Sequence, residues 1–377
     1  MNVACTVSGI RKKINNRFKK LDIQYEYSLA LSRIYDGEGF YINSRFKVNE
    51  VNKIYGCDKH WAYGGALVQY KFPLSSKMTK KETELGIYLL EFTHIKKRYK
   101  DFYYTIYLKH IHREKKNGKI KYIIALTNLD FQIFIDLYKT DYKIVSKKYF
   151  KDVGFLGIDD IVIEYYKKKK KDIAENKYKY EAGFYGMFAA LLVKAVQKKG
   201  KGTFYSKKRN KLKLAQAIID SDLNPKKKQD VEQKKDLRNS QVVIAMFQTA
   251  YLRFEEWKMF KKYKKSVVYM NTDSVYCTEP LKEDFKNELG HYDREYNGEY
   301  IYFIRRNAYV VLNEDGTIKK SVIGGVINGG DITPEKIEIL RTGQSIEAYT
   351  LNKEREIVLA ELSPHFILNE YKNDYIV

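Results

Sequence analysis

The chain has 377 residues, with 70 Lys and Arg against 47 Asp and Glu for a formal charge of +23, and it is 44% hydrophobic and 15% aromatic. That composition is too apolar for a disordered tail and basic enough to expect a negatively charged partner. Cys5, Cys57 and Cys277 are far apart and make no C-x-x-C pair, which excludes a disulfide framework and a zinc ribbon and fits free thiols in a reducing cytoplasm.

The opening MNVACTVSGIRKK lacks a secretory layout, and no stretch approaches the ~20 apolar residues that cross a bilayer, so the expectation is a cytoplasmic protein with no membrane partner. Residues 1–30 show no clear periodicity. Tyr35-Asp-Gly-Glu-Gly-Phe-Tyr41 is turn-prone, and Gly37 and Gly39 predict tight backbone geometry there. After Leu67-Val-Gln-Tyr-Lys-Phe-Pro73, short β-prone runs alternate with charged turns to about residue 126, and Tyr103–Leu108 and Tyr122–Leu126 read as strands. His110 and His112 fall on one face of such a strand, but no Cys or third His lies near them in sequence, so they read as a surface pair and not a zinc site.

Apolar residues three and four apart predict a helix over Asp130–Tyr138 and another opening at Asp159, running through five lysines at 167–171 and on over 160–198. Glycine inside a helix costs ~1 kcal/mol relative to Ala, so Gly183 and Gly186 call for close packing or a ligand against the backbone. The polar segment 197–237 holds 13 basic and five acidic residues. An amphipathic helix follows at Gln241–Phe254, and then Val267–Tyr276 reads as strand, tight turn, strand. A β-rich piece at 299–328 and a helical piece at 334–360 complete the chain.

The hairpin turn Asn271-Thr-Asp-Ser274 can project the Asp273 carboxylate from a sheet edge into a cleft, and Cys57-Asp58-Lys-His-Trp-Ala-Tyr63 offers a second carboxylate at the end of a predicted strand. Two aspartates on adjacent strand ends are a usual means of holding two divalent ions in phosphoryl transfer. There is no G-x-x-x-x-G-K-[ST] phosphate loop and no G-x-S-x-G elbow, so ATPase and hydrolase readings have no support.

From about Tyr35 to Val326 the order of these motifs resembles the polymerase module of protein-primed family B DNA polymerases of phages and linear plasmids. Tyr35–Asn43 is similar to the family's Y-x-G-G segment, with Glu38 between the glycines. Asp58–Gly64 resembles D-x-N-S-x-Y-P, with His60, Trp61 and Gly64 at the altered positions, and Lys71-Phe-Pro73 closes it. Leu126-Thr-Asn-Leu-Asp130 resembles L-T-x-x-D-L, and Ala182–Phe188 resembles the fingers motif N-S-x-Y-G-K-F with Asn, Ser and Lys replaced. Gln241–Arg253 and Val267–Val275 look like the helix and the Y-x-D-T-D-S hairpin, with Asn271 for the first carboxylate. Arg305-Arg-Asn-Ala-Tyr309 resembles K-x-Y with Asn307 for Lys.

The resemblance implies an α+β right hand: a palm of antiparallel sheet, helical fingers around 160–198 and a small thumb. Its divisions are an N-terminal segment at 1–57, palm and fingers at 58–330 with the basic insertion at about 197–237, and a thumb-like region at 331–377. About 34 residues precede the Y-x-G-G-like segment, too few for the family's proofreading domain, so no editing is expected. The implied activity is template-directed DNA synthesis from a protein or nucleic-acid hydroxyl, weakened by the altered motifs.

Asp58 and Asp273 would be catalytic and hold two Mg²⁺ ions, with Mn²⁺ an allowed substitute. Tyr63, Tyr178, Lys179, Tyr185 and Gly186 would meet the deoxynucleotide triphosphate, with Tyr63 under the sugar and Tyr185 at the nascent pair. Tyr35, Gly37, Gly39, Thr127, Arg253, Arg306 and Tyr309, with Lys207, Lys208 and Arg209 of the basic insertion, would contact template and primer DNA. A terminal protein would be a further partner where priming is by protein. Two other readings remain open: a catalytically degenerate palm that binds nucleic acid or serves as a structural subunit, and a template-independent nucleotidyltransferase.

Overall fold

The computed structural model describes residues 13–14, 16–18, 20–21, 39–45, 50–75, 77–116, 119–174, 242–323, 326–327, 332–351 and 357–364. After helical residues at 13–14, 16–18 and 20, of which Ile14 and Phe18 are buried, come β1 (Tyr41–Ser44) and β2 (Val51–Lys59), and α1 (Ala62–Gln69) follows β2 after one turn. Trp61, at the N-cap of α1, is in the left-handed region at φ 48°, and a Cβ on Gly64 would lie 2.7 Å from its indole. The altered Trp61 and Gly64 are therefore one packing unit: the large ring fits because the neighbouring position has no side chain.

The chain then builds β3 (Phe72–Pro73), β4 (Met78–Thr79), β5 (Gly86–Phe92), β6 (Ile95–Lys97) and β7 (Phe102–Tyr103). The strand expected over Tyr103–Leu108 stops after its first residue: Tyr107 takes φ 70° and a 3-10 turn spans Leu108–His110. Tyr104, Ile106 and Tyr107 are all buried, so this segment plugs a core instead of alternating across a sheet. His110 closes that turn while His112 opens β8 (His112–Lys116), so the two do not share a strand face.

β9 (Lys119–Thr127) leads into α2 (Asn128–Leu137), covering the strand and helix expected there, and β10 (Tyr138–Thr140), β11 (Lys143–Phe150) and β12 (Val153–Gly154) follow. Strands β4, β11, β5, β9 and β8 form a five-stranded antiparallel sheet in that order. The predicted helix at 160–198 is observed as α3 (Asp159–Ala174), and its remainder, with the 197–237 segment, lies outside the described residues.

α4 (Val242–Tyr263) runs further than the amphipathic pattern predicts. Its first half is buried on several sides, with Val243 to Phe247 and Ala250 all in the core, while its second half exposes Lys258, Lys261 and Lys262. It joins two apolar clusters, one with α1 and α3 around Phe150 and Phe247, the other with α2 around Phe134 and Phe260.

The hairpin β13 (Val267–Asn271) and β14 (Ser274–Cys277) is followed by the long β15 (Tyr292–Arg305), then β16 (Ala308–Leu312), β17 (Ile318–Ile323) and β18 (Val326–Ile327). These strands complete a nine-stranded antiparallel sheet in the order β18-β17-β16-β15-β2-β14-β13-β1-β7. Residues 41–44 and 51–59 thus belong to the main sheet. One face, with Cys57, Met270 and Val275, is packed with α2 and α4 residues, and the other carries Tyr269, Tyr276, Tyr296, Phe303 and Tyr309.

The piece expected to be helical at 334–360 is only partly so. α5 (Pro334–Arg341) ends before Gly343 at φ 88°, and β19 (Ile346–Leu351) and β20 (Ile357–Leu362) then form a hairpin. Ile337, Leu340, Ile346, Ala348 and Leu362 share a small core with Tyr302, Val310 and Ile323 of the main sheet.

Candidate active site

β2 lies between β14 and β15, and this brings the backbones of the two predicted aspartates to neighbouring strands at one sheet end. Asp58 is the register partner of Ser274, and the next residue, Lys59, donates its backbone N–H to the Asp273 carbonyl at 2.8 Å. Both aspartates are half-buried. On its other side Asp58 is in register with Asp293 of β15.

The hairpin turn is tight. The Asp273 N–H bonds the Asn271 carbonyl at 2.8 Å, closing a three-residue turn on Thr272. Thr272 has φ 67°, which a β-branched residue adopts only when its surroundings impose it. Those surroundings are visible: the Thr272 N–H donates to the Phe40 carbonyl at 2.8 Å, the Ser274 hydroxyl donates to the Asn271 carbonyl at 3.1 Å, and Gly39 lies directly against the Thr272 side chain. Gly39, expected to meet DNA, is therefore placed as a backing for the turn that presents Asp273.

In front of the hairpin a cleft of about 390 Å³ is lined by Tyr63, Asn271, Asp273, Ser274, Asn307 and Tyr309 among others. It brings Tyr63 and Tyr309 to the same space as Asp273. Burial, followed by the Asp273 charge, pushes the Tyr63 phenol up to about 12, so it stays protonated as a donor. Tyr276 donates to Glu295 at 2.7 Å on the same aromatic face. Arg306, at the β15–β16 turn, holds its guanidinium 5.2 Å from the Tyr41 ring centroid.

Alternation along β2 sends Lys59 to the opposite side, toward α4. Its ammonium is 5.4 Å from the Tyr292 ring centroid, and the Tyr292 hydroxyl donates to Glu256 of α4 at 2.9 Å. Glu256 is 1% exposed, and its Oε2 has no hydrogen-bond partner among the described residues. Burial holds the Glu256 carboxyl above the usual carboxylate range, and burial followed by the Glu256 charge does the same to Asp273. Glu256 was not foreseen, although its place three residues beyond Arg253 and four before Phe260 puts it on the helix's buried face.

Among the described residues no group of three or more His, Cys, Asp and Glu side chains is arranged to hold a metal ion. Two carboxylates are nonetheless the donor set Mg²⁺ takes where substrate phosphates and water complete its shell. An excess of buried negative charge around Asp273 is also what a divalent cation would offset, so the residues fit such an ion.

The fold is similar to that of phi29 DNA polymerase. Against that polymerase with primer-template DNA and incoming nucleotide, the TM-score is 0.58 at 16% identity, covering 95% of this chain and 67% of the other. Against its orthorhombic crystal form the TM-score is 0.51 at 14% identity, and against its complex with primer-template DNA alone it is 0.50 at 15% identity. In these two the chain spans 59% and 56% of the polymerase's length. No family model and no curated protein matches the sequence.

Two expected DNA contacts are corrected. Thr127 and Arg253 are 0% and 7% exposed and do not reach the surface. The Arg253 guanidinium pairs with Asp130 at 2.7 and 2.8 Å, and Asp130 also accepts from the Tyr107 hydroxyl at 2.6 Å and the Thr127 hydroxyl at 2.8 Å. Thr127 further caps α2 by accepting from the Asp130 N–H at 3.0 Å. The L-T-x-x-D pattern thus encodes a helix cap and a buried ion pair that ties α2 to α4. Tyr35, Gly37, Tyr178, Lys179, Tyr185, Gly186, Lys207, Lys208 and Arg209 lie outside the described residues.

Proposed function

We propose that this protein is a nucleotidyltransferase of the DNA polymerase type, extending a primer hydroxyl on a DNA template by phosphoryl transfer. The observation that carries the reading is Asp58 and Asp273 on adjacent strand ends, with Asp273 lining the cleft, in a fold similar to that of phi29 DNA polymerase. In this reading the nine-stranded sheet is the palm, the region from Asp159 to about residue 198 the fingers, and the region from 331 onward the thumb. The basic segment 197–237 serves as a clamp on DNA.

Asp58 and Asp273 would hold Mg²⁺, or Mn²⁺ in its place. When bound, the ion supplies charge stabilisation at the phosphoryl oxygens, and it generates or orients the attacking oxygen. The chain's own part is positioning. Tyr63, protonated at the cleft wall, packs beneath the nucleotide sugar and excludes a 2′-hydroxyl. Tyr309, on the same cleft, meets the primer end. The hydrogen-bonded Thr272 turn keeps the Asp273 carboxylate from drifting while charge redistributes in front of it.

A second reading, a polymerase fold that binds nucleic acid without catalysis, is favoured by the neutral Asn271 at a carboxylate position. Primer extension separates the readings, run with Mg²⁺ or Mn²⁺, with and without template, on wild type and Asp273→Ala. Templated extension lost in Asp273→Ala supports the proposal. Extension independent of template overturns its template-directed part. No incorporation despite salt-sensitive DNA binding leaves the non-catalytic protein.

A further inference from the structure

The β13–β14 and β15–β16 turns both line the cleft, and a hydrogen bond joins them: Asn271 Nδ2 donates to Asn307 Oδ1 at 2.5 Å. Both residues stand where the motifs carry charge, a carboxylate at 271 and an ammonium at 307. Taken singly, each replacement reads as decay of a catalytic motif. Their contact makes them one exchange, a neutral pair across a gap that opposite charges would also bridge.

The surroundings orient both amides. The Thr272 hydroxyl donates to Asn271 Oδ1 at 3.3 Å, so the Asn271 amide nitrogen is left to face Asn307. Asn307 has φ 60°, a conformation that Asn adopts more readily than Lys, and its backbone N–H donates to the Tyr269 hydroxyl at 3.0 Å. Tyr269 in turn stacks on Phe303 with centroids 4.6 Å apart, so the β15–β16 turn is anchored to the sheet before the tether is made. The Asn271 end belongs to the strained turn that presents Asp273.

We propose that Asn271 and Asn307 are paired positioning residues: a neutral tether that fixes the Asp273 turn against the cleft wall bearing Tyr309. This rests on the nucleotidyltransferase reading for its catalytic consequence. Neither residue touches reacting atoms in it. Because no net charge is involved, the tether adds nothing to the negative charge already gathered around Asp273, and its strength is insensitive to salt, unlike that of an exposed ion pair.

The test is a double-mutant cycle on Asn271→Ala, Asn307→Ala and the double variant, read in two ways. The first needs no activity: amide hydrogen exchange at Thr272 and Asn307. Each single variant should speed exchange at the opposite turn about fivefold, as loss of one net hydrogen bond implies, and the double variant should be no faster than the singles. The second is single-nucleotide incorporation on a primer-template, where kcat should fall about fivefold in each single variant with KM little changed.

The Asn271→Asp/Asn307→Lys double variant should restore protection at low salt and lose it near about 0.5 M, where wild-type protection persists. Additive effects in the exchange cycle, or unchanged Thr272 exchange in Asn307→Ala, would overturn the tether. If wild type incorporates no nucleotide, the nucleotidyltransferase reading falls, and the exchange cycle still decides whether the tether exists.

Discussion

An ideal Cβ on Gly39 would lie 2.5 Å from Thr272 Oγ1 and 3.3 Å from Thr272 Cα, so an alanine there must displace the turn that carries Asp273. Gly39→Ala is expected to cost about 1–3 kcal/mol, the range for overpacking, measured as a lowered urea midpoint with unchanged m-value. Any incorporation activity should fall with it. Glu256 permits a pH argument. Its folded carboxyl sits above the unfolded value, so its contribution to stability is full below about pH 4 and is lost as pH rises toward the folded value. Glu256→Gln is permanently neutral and can still accept from Tyr292. Its thermal midpoint without divalent ions should therefore exceed wild type at pH 8, and the difference should shrink on acidification. Equal midpoints at both pH values would show that Glu256 carries no buried charge.

α4 contributes more through a single ion pair than its sequence pattern suggests. Arg253 and Asp130 have side chains 8% and 5% exposed, and burial alone would raise the Asp130 carboxyl. The Arg253 charge and the hydrogen bonds from Arg253, Tyr107 and Thr127 outweigh burial and hold it below its ordinary value. That stabilisation is present above about pH 4 and is lost as pH falls through the lower folded value. Arg253→Met leaves Asp130 buried without its cation and should cost about 3–5 kcal/mol by urea unfolding at pH 7. The penalty should diminish on acidification as Asp130 takes up a proton. The hairpin and α2 were legible because each follows one periodicity between clear stops, whereas α4 was legible only to Phe254, nine residues short of its end. Tyr103–Leu108 was not, because alternating aromatics look the same whether they line a strand or fill a core, and only the backbone reversal at Tyr107 distinguishes the two. Residues 334–360 misled for a related reason: Gly343 breaks the helix, and no charge or apolar signal marks the change to a hairpin. In the site, Asp58, Asp273, Tyr63 and Tyr309 were legible as motif residues, whereas Glu256 was hidden among the other charges of its helix.

At the scale of the whole molecule, the net charge of +23 is long-range and the aspartate site is local, so the two can be tested apart. Binding to a primer-template, followed by fluorescence anisotropy, should weaken steeply between about 50 and 200 mM salt, with log affinity linear in log salt concentration. Asp273→Ala should leave that slope unchanged. A flat salt response would remove the electrostatic basis for a nucleic-acid partner.

The position of β2 between β14 and β15 has a consequence for how the molecule comes into being. During synthesis β2 leaves the ribosome long before either neighbour exists, and a nascent chain that stops short of Val267 can form neither side of the Asp58 strand. Pairings of such large sequence separation form slowly. Refolding should therefore bring Asp58 and Asp273 together in one late step, leaving earlier intermediates with exposed strand edges that chaperones would recognise.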